Sequence, residues 1–504
     1  MNAQYRSSTA KLGKKPTVGI FASTLTQENP RGALRLFRAL AEELERLGTF
    51  ECLVLHERIA GQTHPLFPVS PLGPWLAEHP LPVARGETPP EPSKWETRFR
   101  TLQKKSRTAA WLFLRALSSL LPAVIRQILK NLWKLRHDVI VALRTVTPRA
   151  VPYNRVASLA EMDVVLNFWW FHVHGNPLES CTVPMHVKVI SWFLDAIPLR
   201  VGHCDPTGFV NVESFMRAVM THLRIADELV AISPSAAEDA QRFFGVSARQ
   251  VQVIPCGVAE QQPPATGNGL EELRRRLKLS ADLPIVLCLG LEEPSKNILN
   301  VLRACRLCAS EHSKPKFQVV LVGEVRNNSM RERQQYLADQ LRRYVPVCFA
   351  GYLCDSDVRS LLGASQVLLY PSLWEGFGMP PLEAMQAGAQ VVTSEIGPMS
   401  WICDQFAHYC DPFDPHDIAR ALDEALAVQG AERATYKREA AAHAGQFTWA
   451  ASARELATLI TRLTTEAAAE SPPSTTLRFD AGRAHGRAPE NHLVAPQSQT
   501  AAGA

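Results

Sequence analysis

Glu375 and Glu383 stand eight residues apart in the run Tyr370-Pro371-Ser372-Leu373-Trp374-Glu375-Gly376-Phe377-Gly378-Met379-Pro380-Pro381-Leu382-Glu383-Ala384-Met385. Val367-Leu368-Leu369-Tyr370 before it is a short apolar stretch that reads as a buried strand. Pro381 suits the first turn of a helix, where its missing N–H costs nothing. The local order is therefore strand, glycine loop, helix. Such a loop gathers backbone N–H groups into one concavity at the positive end of a helix dipole, a place for a phosphate or for sugar hydroxyls. Glu375 falls at the loop mouth and Glu383 near the first helical turn, so both can face one ligand. A lone Gly-x-Gly is more often a tight turn with solvated acids; the density of surrounding signals separates this one from that background.

Two further residues sit where an α/β sheet places its chemistry, beyond the C-terminal ends of strands. Lys296 lies just past the strand Ile285–Leu289, at a helix start, in Leu289-Gly290-Leu291-Glu292-Glu293-Pro294-Ser295-Lys296-Asn297. Asp195 follows the strand Val187–Trp192, either as a site acid or as a helix or turn cap. No Asp-x-Asp metal motif lies near these residues, and no Ser-His or Cys-His pair is evident. His172-Val173-His174 lacks nearby carboxylates and reads as structural. The 11 cysteines are mostly single; Cys305-Arg306-Leu307-Cys308 has Cys-x-x-Cys spacing inside a helical apolar pattern without a second pair. Buried, reduced thiols of a cytosolic protein are the expectation.

The elements that must carry these residues alternate. Val18-Gly19-Ile20-Phe21 is a strand; Asn29-Pro30-Arg31-Gly32 leads into an amphipathic helix with Leu34, Phe37, Leu40, Leu44 and Leu47 at helical spacing. Cys52–Leu55, Val164–Phe168, Val187–Trp192 and Leu229–Ile232 continue the strand series in the first half, and Ile285–Leu289, Phe317–Val322, Val347–Ala350, Val367–Tyr370 and Val391–Thr393 in the second. Alternation of this kind predicts parallel sheets in doubly wound α/β domains. At 504 residues the chain exceeds one core, so two domains are the minimum. Residues 260–269, with Pro263-Pro264 and Gly267-Asn268-Gly269, have the composition of a linker. The expected division is 1–259, 260–269, 270–446, a helix over 447–466 and a disordered tail over 471–504.

Composition is ordinary for a globular protein, with 46% hydrophobic and 20% charged residues, and a net charge of +5 gives no footprint for nucleic acid. The charge is unevenly spread. Between Lys94 and Arg136 basic residues face Glu96 as the one acid, while Leu114, Leu117, Leu121, Val124, Ile128, Leu132 and Leu135 form an apolar stripe. This insert, about 94–136, either lies on an anionic membrane surface as a basic amphipathic helix or packs its stripe on the N-terminal domain with a solvated basic face. The Pro-rich stretch before it, from Gly61 through Pro92, is expected to be irregular. Met1–Lys15 has no signal-peptide core, and no stretch reaches the length of a spanning helix, so the expected location is cytoplasmic, peripheral on the inner membrane if the insert docks there.

The glycine-loop segment resembles the donor-site signature of the retaining family 4 glycosyltransferases, Glu-Gly-Phe-Gly-x-Pro-x-Leu-Glu-Ala-Met. The resemblance extends through Gly351-Tyr352-Leu353-Cys354-Asp355, Val391-Val392-Thr393-Ser394 and Asp411-Pro412-Phe413-Asp414, and through Leu194-Asp195-Ala196-Ile197-Pro198 in the first half. It implies the GT-B fold: two Rossmann-like doubly wound domains facing a cleft. It further implies a nucleotide-diphosphate sugar as co-substrate, with Lys296 on its phosphates and Glu375 on the transferred sugar. Gly376, Phe377 and Gly378 would hold sugar hydroxyls, Glu383 the ribose, and Leu353 would stand near the base. Gly32, Gly290 and Ser295 fall on the phosphate loop or cleft, and Asp195 on the acceptor side. The family needs no metal and no cofactor. Its members with an Asp-Leu-Ile-Pro segment commonly use GDP-mannose, and a glycan or lipid-linked acceptor is implied. The chain departs at Ser295, where the family has arginine, at Leu194, where relatives have His or Tyr, and at Met399-Ser400-Trp401, where they have Pro-Glu-Val. The first departure leaves an alternative of another class, a weakened nucleotide-sugar-binding scaffold within a glycan-assembly complex.

Overall fold

The computed structural model describes residues 15–22, 31–56, 66–79, 155–168, 178, 183–202, 212–258, 268–310, 315–325, 327–469 and 477–478. The basic insert at 94–136 and the His172-Val173-His174 pair lie outside the described residues.

In chain order the strands are β1 (Thr17–Phe21), β2 (Glu51–Leu55), β3 (Leu66–Pro71), β4 (Arg155–Ser158), β5 (Val164–Asn167), β6 (Val183–Pro184), β7 (Lys188–Phe193), β8 (Glu228–Ala231) and β9 (Val251–Val253). They are followed by β10 (Ile285–Leu289), β11 (Gln318–Val322), β12 (Val347–Gly351), β13 (Val367–Tyr370), β14 (Gln390–Ser394), β15 (Ala407–Cys410) and β16 (Leu477–Arg478). Two sheets result. The first has the order β4-β3-β2-β1-β5-β7-β8-β9 and the second β12-β11-β10-β13-β14-β15. Every pairing in the second sheet is parallel; in the first, β3 runs antiparallel to β2 and β4 and the rest is parallel. The central strands are continuous apolar runs because helices cover both faces, as in β13, where Val367, Leu368, Leu369 and Tyr370 are all buried.

Each strand read from the apolar runs lies within one residue, at either end, of a strand observed. The Pro-rich stretch expected to be irregular instead contains β3 and the helix Leu72–Glu78. Pro68 and Pro71 lack a donor but keep a carbonyl, and both hold register against neighbours, Pro68 with Val156 and Pro71 with Leu53. Likewise Leu477 and Arg478, within the tail expected to be disordered, pair antiparallel with β6. Asn268 and Gly269, expected in the linker, open the helix Asn268–Leu277.

The helix Arg31–Leu47 buries Phe37, Leu40 and Leu44 against the first sheet. Beside it lies the last long helix, Trp449–Ala469, whose Leu456, Leu459, Ile460 and Leu463 enter the same core. The chain therefore leaves the second domain and returns to the first through this helix. Gly257 permits this crossing: a Cβ there would stand 2.1 Å from the Trp449 nitrogen. Val258 N–H donates to the Phe447 carbonyl at 2.9 Å, and Ser452 Oγ to the Pro255 carbonyl at 2.6 Å. Farther along, Arg462 pairs with Glu228 at 2.9 Å. The core that includes Leu40, Trp192 and Leu456 continues through Phe377 and Met385 into the second domain.

Candidate active site

In the second sheet the strand order reverses between β10 and β13, and open α/β sheets bind ligands in the crevice beyond such a point. The two loops that leave there are 290–297 and 371–378. In the first, Gly290 adopts φ +83°, and a Cβ would stand 2.9 Å from Lys296 Cγ, so glycine lets the lysine fold back over the strand end. Pro294–Lys296 forms one 3₁₀ turn, closed by Asn297 in the left-handed region at φ 58°. Asn297 tolerates that conformation because its amide is used: Nδ2 donates to the carbonyls of Pro371 at 3.1 Å and Pro412 at 2.6 Å. Leu373 N–H donates to the Ser295 carbonyl at 2.7 Å, binding the two loops together.

That framework brings Lys296 and Glu375 into contact. Lys296 Nζ donates to both Glu375 oxygens, at 2.8 and 3.0 Å, and lies 3.3 Å from Glu293 Oε2. It also stands 5.3 Å from the centre of the Tyr370 ring. Burial alone would lower the ammonium's pKa, but the Glu375 carboxylate, with help from Tyr370 and Glu293, outweighs it and holds Lys296 charged well above its ordinary value. Glu375 itself is 6% exposed.

The glycine loop is packed from both sides. A Cβ on Gly376 would stand 2.3 Å from the Leu194 carbonyl oxygen, and Ser233 Oγ donates to the Gly376 carbonyl at 2.6 Å. Both neighbours belong to the first domain, so this glycine is one point at which the two domains touch. Gly378, at φ +114°, caps the helix Met379–Ala387, and its missing Cβ would meet Met399 Cε at 2.3 Å. Phe377 turns away onto Trp401 and Phe447, edge to face at 6.0 and 6.1 Å. Met399 and Trp401, in the departure noted in the sequence, thus form the floor of the loop.

From the first domain, Asp195 lies just past β7. Its Oδ1 accepts the Ile197 N–H at 2.9 Å, and the residue also lines the cleft, so it is cap and cavity wall together. Burial, reinforced by Glu375 and opposed by the Ile197 N–H, pushes its carboxyl up to about 7. Arg200, in the helix Ile197–Val201, lies 4.2 Å from the Trp374 ring centre and pairs with the buried Asp239 at 2.5 Å. Arg35, from the helix Arg31–Leu47, reaches across to Glu383 with Nη2 2.5 Å from Oε1.

Together these groups line a cavity of about 350 Å³ between the domains. Gly290, Lys296, Asp195, Glu375, Gly376, Phe377, Gly378 and Glu383 are all in its wall. Leu353 is not: it is buried in the core behind the cleft. Ser295 also lies outside the wall, 2% exposed within the 3₁₀ turn, and Gly32 sits in the first turn of the Arg31–Leu47 helix. Arg35, Glu293 and Trp449 line the cavity without having been singled out as site residues. Arg35 carries no local signal beyond an arginine on the polar face of an amphipathic helix.

Two facing, largely parallel sheets with a glycine-loop cavity in the cleft define a GT-B architecture, and solved structures share it. A sucrose-phosphate synthase from Thermosynechococcus elongatus superposes with a TM-score of 0.54 at 17% identity, covering 90% of this chain and 100% of that one. The Anabaena HepE protein, solved in complex with UDP-glucose, gives a TM-score of 0.54 at 16% identity, covering 88% and 99%. At this identity the likeness concerns the fold. Residues 270–443 match the family model described as glycosyl transferases group 1. The serotype-specific mannosyltransferase WbdA of Escherichia coli is 30% identical over 317 residues, 61% of this chain and 38% of that protein. An uncharacterised glycosyltransferase of Methanocaldococcus jannaschii is 25% identical over 283 residues, 55% of this chain and 69% of that one. The chain thus spans under two fifths of the length of the WbdA relative.

Proposed function

We propose that this chain is a retaining glycosyltransferase that moves a hexose, mannose from GDP-mannose in the favoured case, onto a glycan or lipid-linked acceptor. One observation carries the reading: Lys296 and Glu375, from the two loops at the strand-order reversal, meet at 2.8 Å in a cavity that also holds Glu383 and Asp195. Departure of a nucleotide diphosphate builds negative charge, which a fixed ammonium and backbone N–H dipoles stabilise. Glu375 would steer the sugar, Glu383 would accept from the ribose hydroxyls, and Asp195 would face the acceptor. The sugar preference is supported by the name of the WbdA relatives and of the O-antigen chain mannosyltransferase B of Escherichia coli, 29% identical over 163 residues.

The reading includes catalysis without metal and a cytoplasmic place of action. No helix among the described residues is long and apolar enough to cross a membrane. Binding and hydrolysis of GDP-, UDP-, ADP- and dTDP-sugars, each with EDTA present, test the proposal. One donor that binds and is slowly hydrolysed is the expected outcome. Binding without turnover, even with candidate acceptors added, would favour the scaffold alternative, and binding of none would overturn the reading.

A further inference from the structure

Among the described residues, the acids of the cavity wall are Asp195, Glu293, Glu375 and Glu383, and the cations are Lys296 and Arg35. A nucleotide diphosphate brings further negative charge into this space. Lys296 is already shared between Glu375 and Glu293. Ser295, beside Lys296 on the same turn, is buried with 2% exposure and supplies no charge. Arg35 stands on the opposite wall, in the second turn of a helix from the other domain, with its side chain 36% exposed. Its bond to Glu383 is made through one nitrogen, Nη2, and Nε lies 3.9 Å from Asp355 Oδ2. A guanidinium has five donors in a planar fork that matches phosphate oxygens in pairs.

Resting on the donor reading above, we propose that Arg35 is a diphosphate-binding residue that exchanges partners: it holds Glu383 in the free protein and moves to the diphosphate when ribose hydroxyls take Glu383. The bond between Arg35 and Glu383 joins residues 348 apart in sequence and crosses the cleft, so the exchange also reports to each domain that the other has engaged the donor. Both ends are suited to it. Glu383 keeps a side-chain exposure of 14%, enough to be reached, and Arg35 belongs to an element anchored by Phe37 and Leu40, so the guanidinium moves while its helix stays.

Calorimetric titration of GDP against GMP, with UDP against UMP in parallel, tests the assignment on wild type, Arg35→Ala and Arg35→Lys. Wild type should prefer a diphosphate over its monophosphate. Arg35→Ala should cut that preference by about tenfold, the scale of one lost charge-assisted contact, and Arg35→Lys should restore most of it. A merely structural latch would behave differently. Freeing Glu383 would then shift monophosphate and diphosphate affinities together and leave their ratio unchanged, an outcome that overturns this assignment alone. Failure of the wild-type protein to bind any of GDP, UDP, ADP or dTDP would overturn the donor reading and this inference with it.

Discussion

The two walls of the cleft are built on different principles. The second-domain wall comes from two short contiguous loops, 290–297 and 371–378, fixed to one another by Asn297 and by the Leu373–Ser295 bond. The first-domain wall is an assembly of single residues from separated elements: Arg35 on one helix, Asp195 past β7, Ser233 after β8. The first arrangement makes a site rigid through local geometry, because each loop needs only its neighbour. The second makes it conditional, because Arg35 meets Glu383, and Leu194 and Ser233 meet the glycine loop, only while the domains stay together. On the proposed reading, the self-sufficient wall holds the reacting end of the donor, and the conditional wall adds Arg35 and the contacts that depend on closure.

The strongest way to break this comparison is to remove the charge at the centre of the rigid wall. Lys296→Ala should lower transfer by about two to three orders of magnitude, the scale of losing a fixed group that stabilises a developing anion. Glu375→Gln should fall in the same range, with circular dichroism unchanged in both. Near-normal steady-state turnover in both variants would mean that the rigid wall is not where the chemistry occurs.

Next in size is the brace between the walls. Arg200 neutralises Asp239, whose side chain is 1% exposed, and lies over Trp374, one residue from Glu375. Arg200→Ala leaves that carboxylate buried and unpaired, at a cost of about 3 kcal/mol in unfolding free energy by denaturant titration. Burial already raises the Asp239 pKa against the pull of Arg200, so protonation softens the loss at low pH. The double variant Arg200→Ala, Asp239→Asn should recover part of the stability. Equal stability of the single variant and wild type would remove the brace.

A smaller change sharpens the point about closure. Gly376→Ala adds a methyl 2.3 Å from the Leu194 carbonyl oxygen, which is backbone and cannot rotate away. The domains must part slightly, so turnover should fall about tenfold or more while the second domain keeps its fold. A matching rise in the radius of gyration by small-angle scattering would assign the loss to the cleft. Unchanged turnover would show that the contact is dispensable.

The same contrast explains what could be read from the sequence. Glu375, the three loop residues and Glu383 share one sixteen-residue run, and strand, glycine turn and proline-started helix are all local signals. Lys296 is as legible, because its strand and its glycine immediately precede it. Arg35 was not, since nothing in its helix distinguishes it from Arg31 or Arg38, and its partner lies 348 residues away. Leu353 shows the converse: the motif that contains it does not say which residue faces the cleft, and the chain turns Leu353 into the core and exposes Tyr352 instead, at 49%. β3 was missed because proline argues against a strand by itself, while antiparallel neighbours on both sides supply what it lacks.

The gentlest test concerns Asp195, the one acid of the conditional wall whose titration falls near neutrality. Its carboxyl is raised in the folded protein from 3.8 to about 7 by burial, so between those values the folded state holds a proton that the unfolded state has lost. Stability must then fall as pH rises across that window and level off above it. Asp195→Asn removes the penalty. Its advantage over wild type should be small at pH 4 and grow to on the order of 2 kcal/mol by pH 8, allowing for the partial exposure of the side chain onto the cavity. Thermal unfolding of both proteins across that range measures it. A constant difference would mean that Asp195 stays ionised throughout, held by Lys296 and the Ile197 N–H more firmly than burial opposes it. The acceptor side of the cleft would then carry a fixed negative charge rather than a proton available near neutral pH.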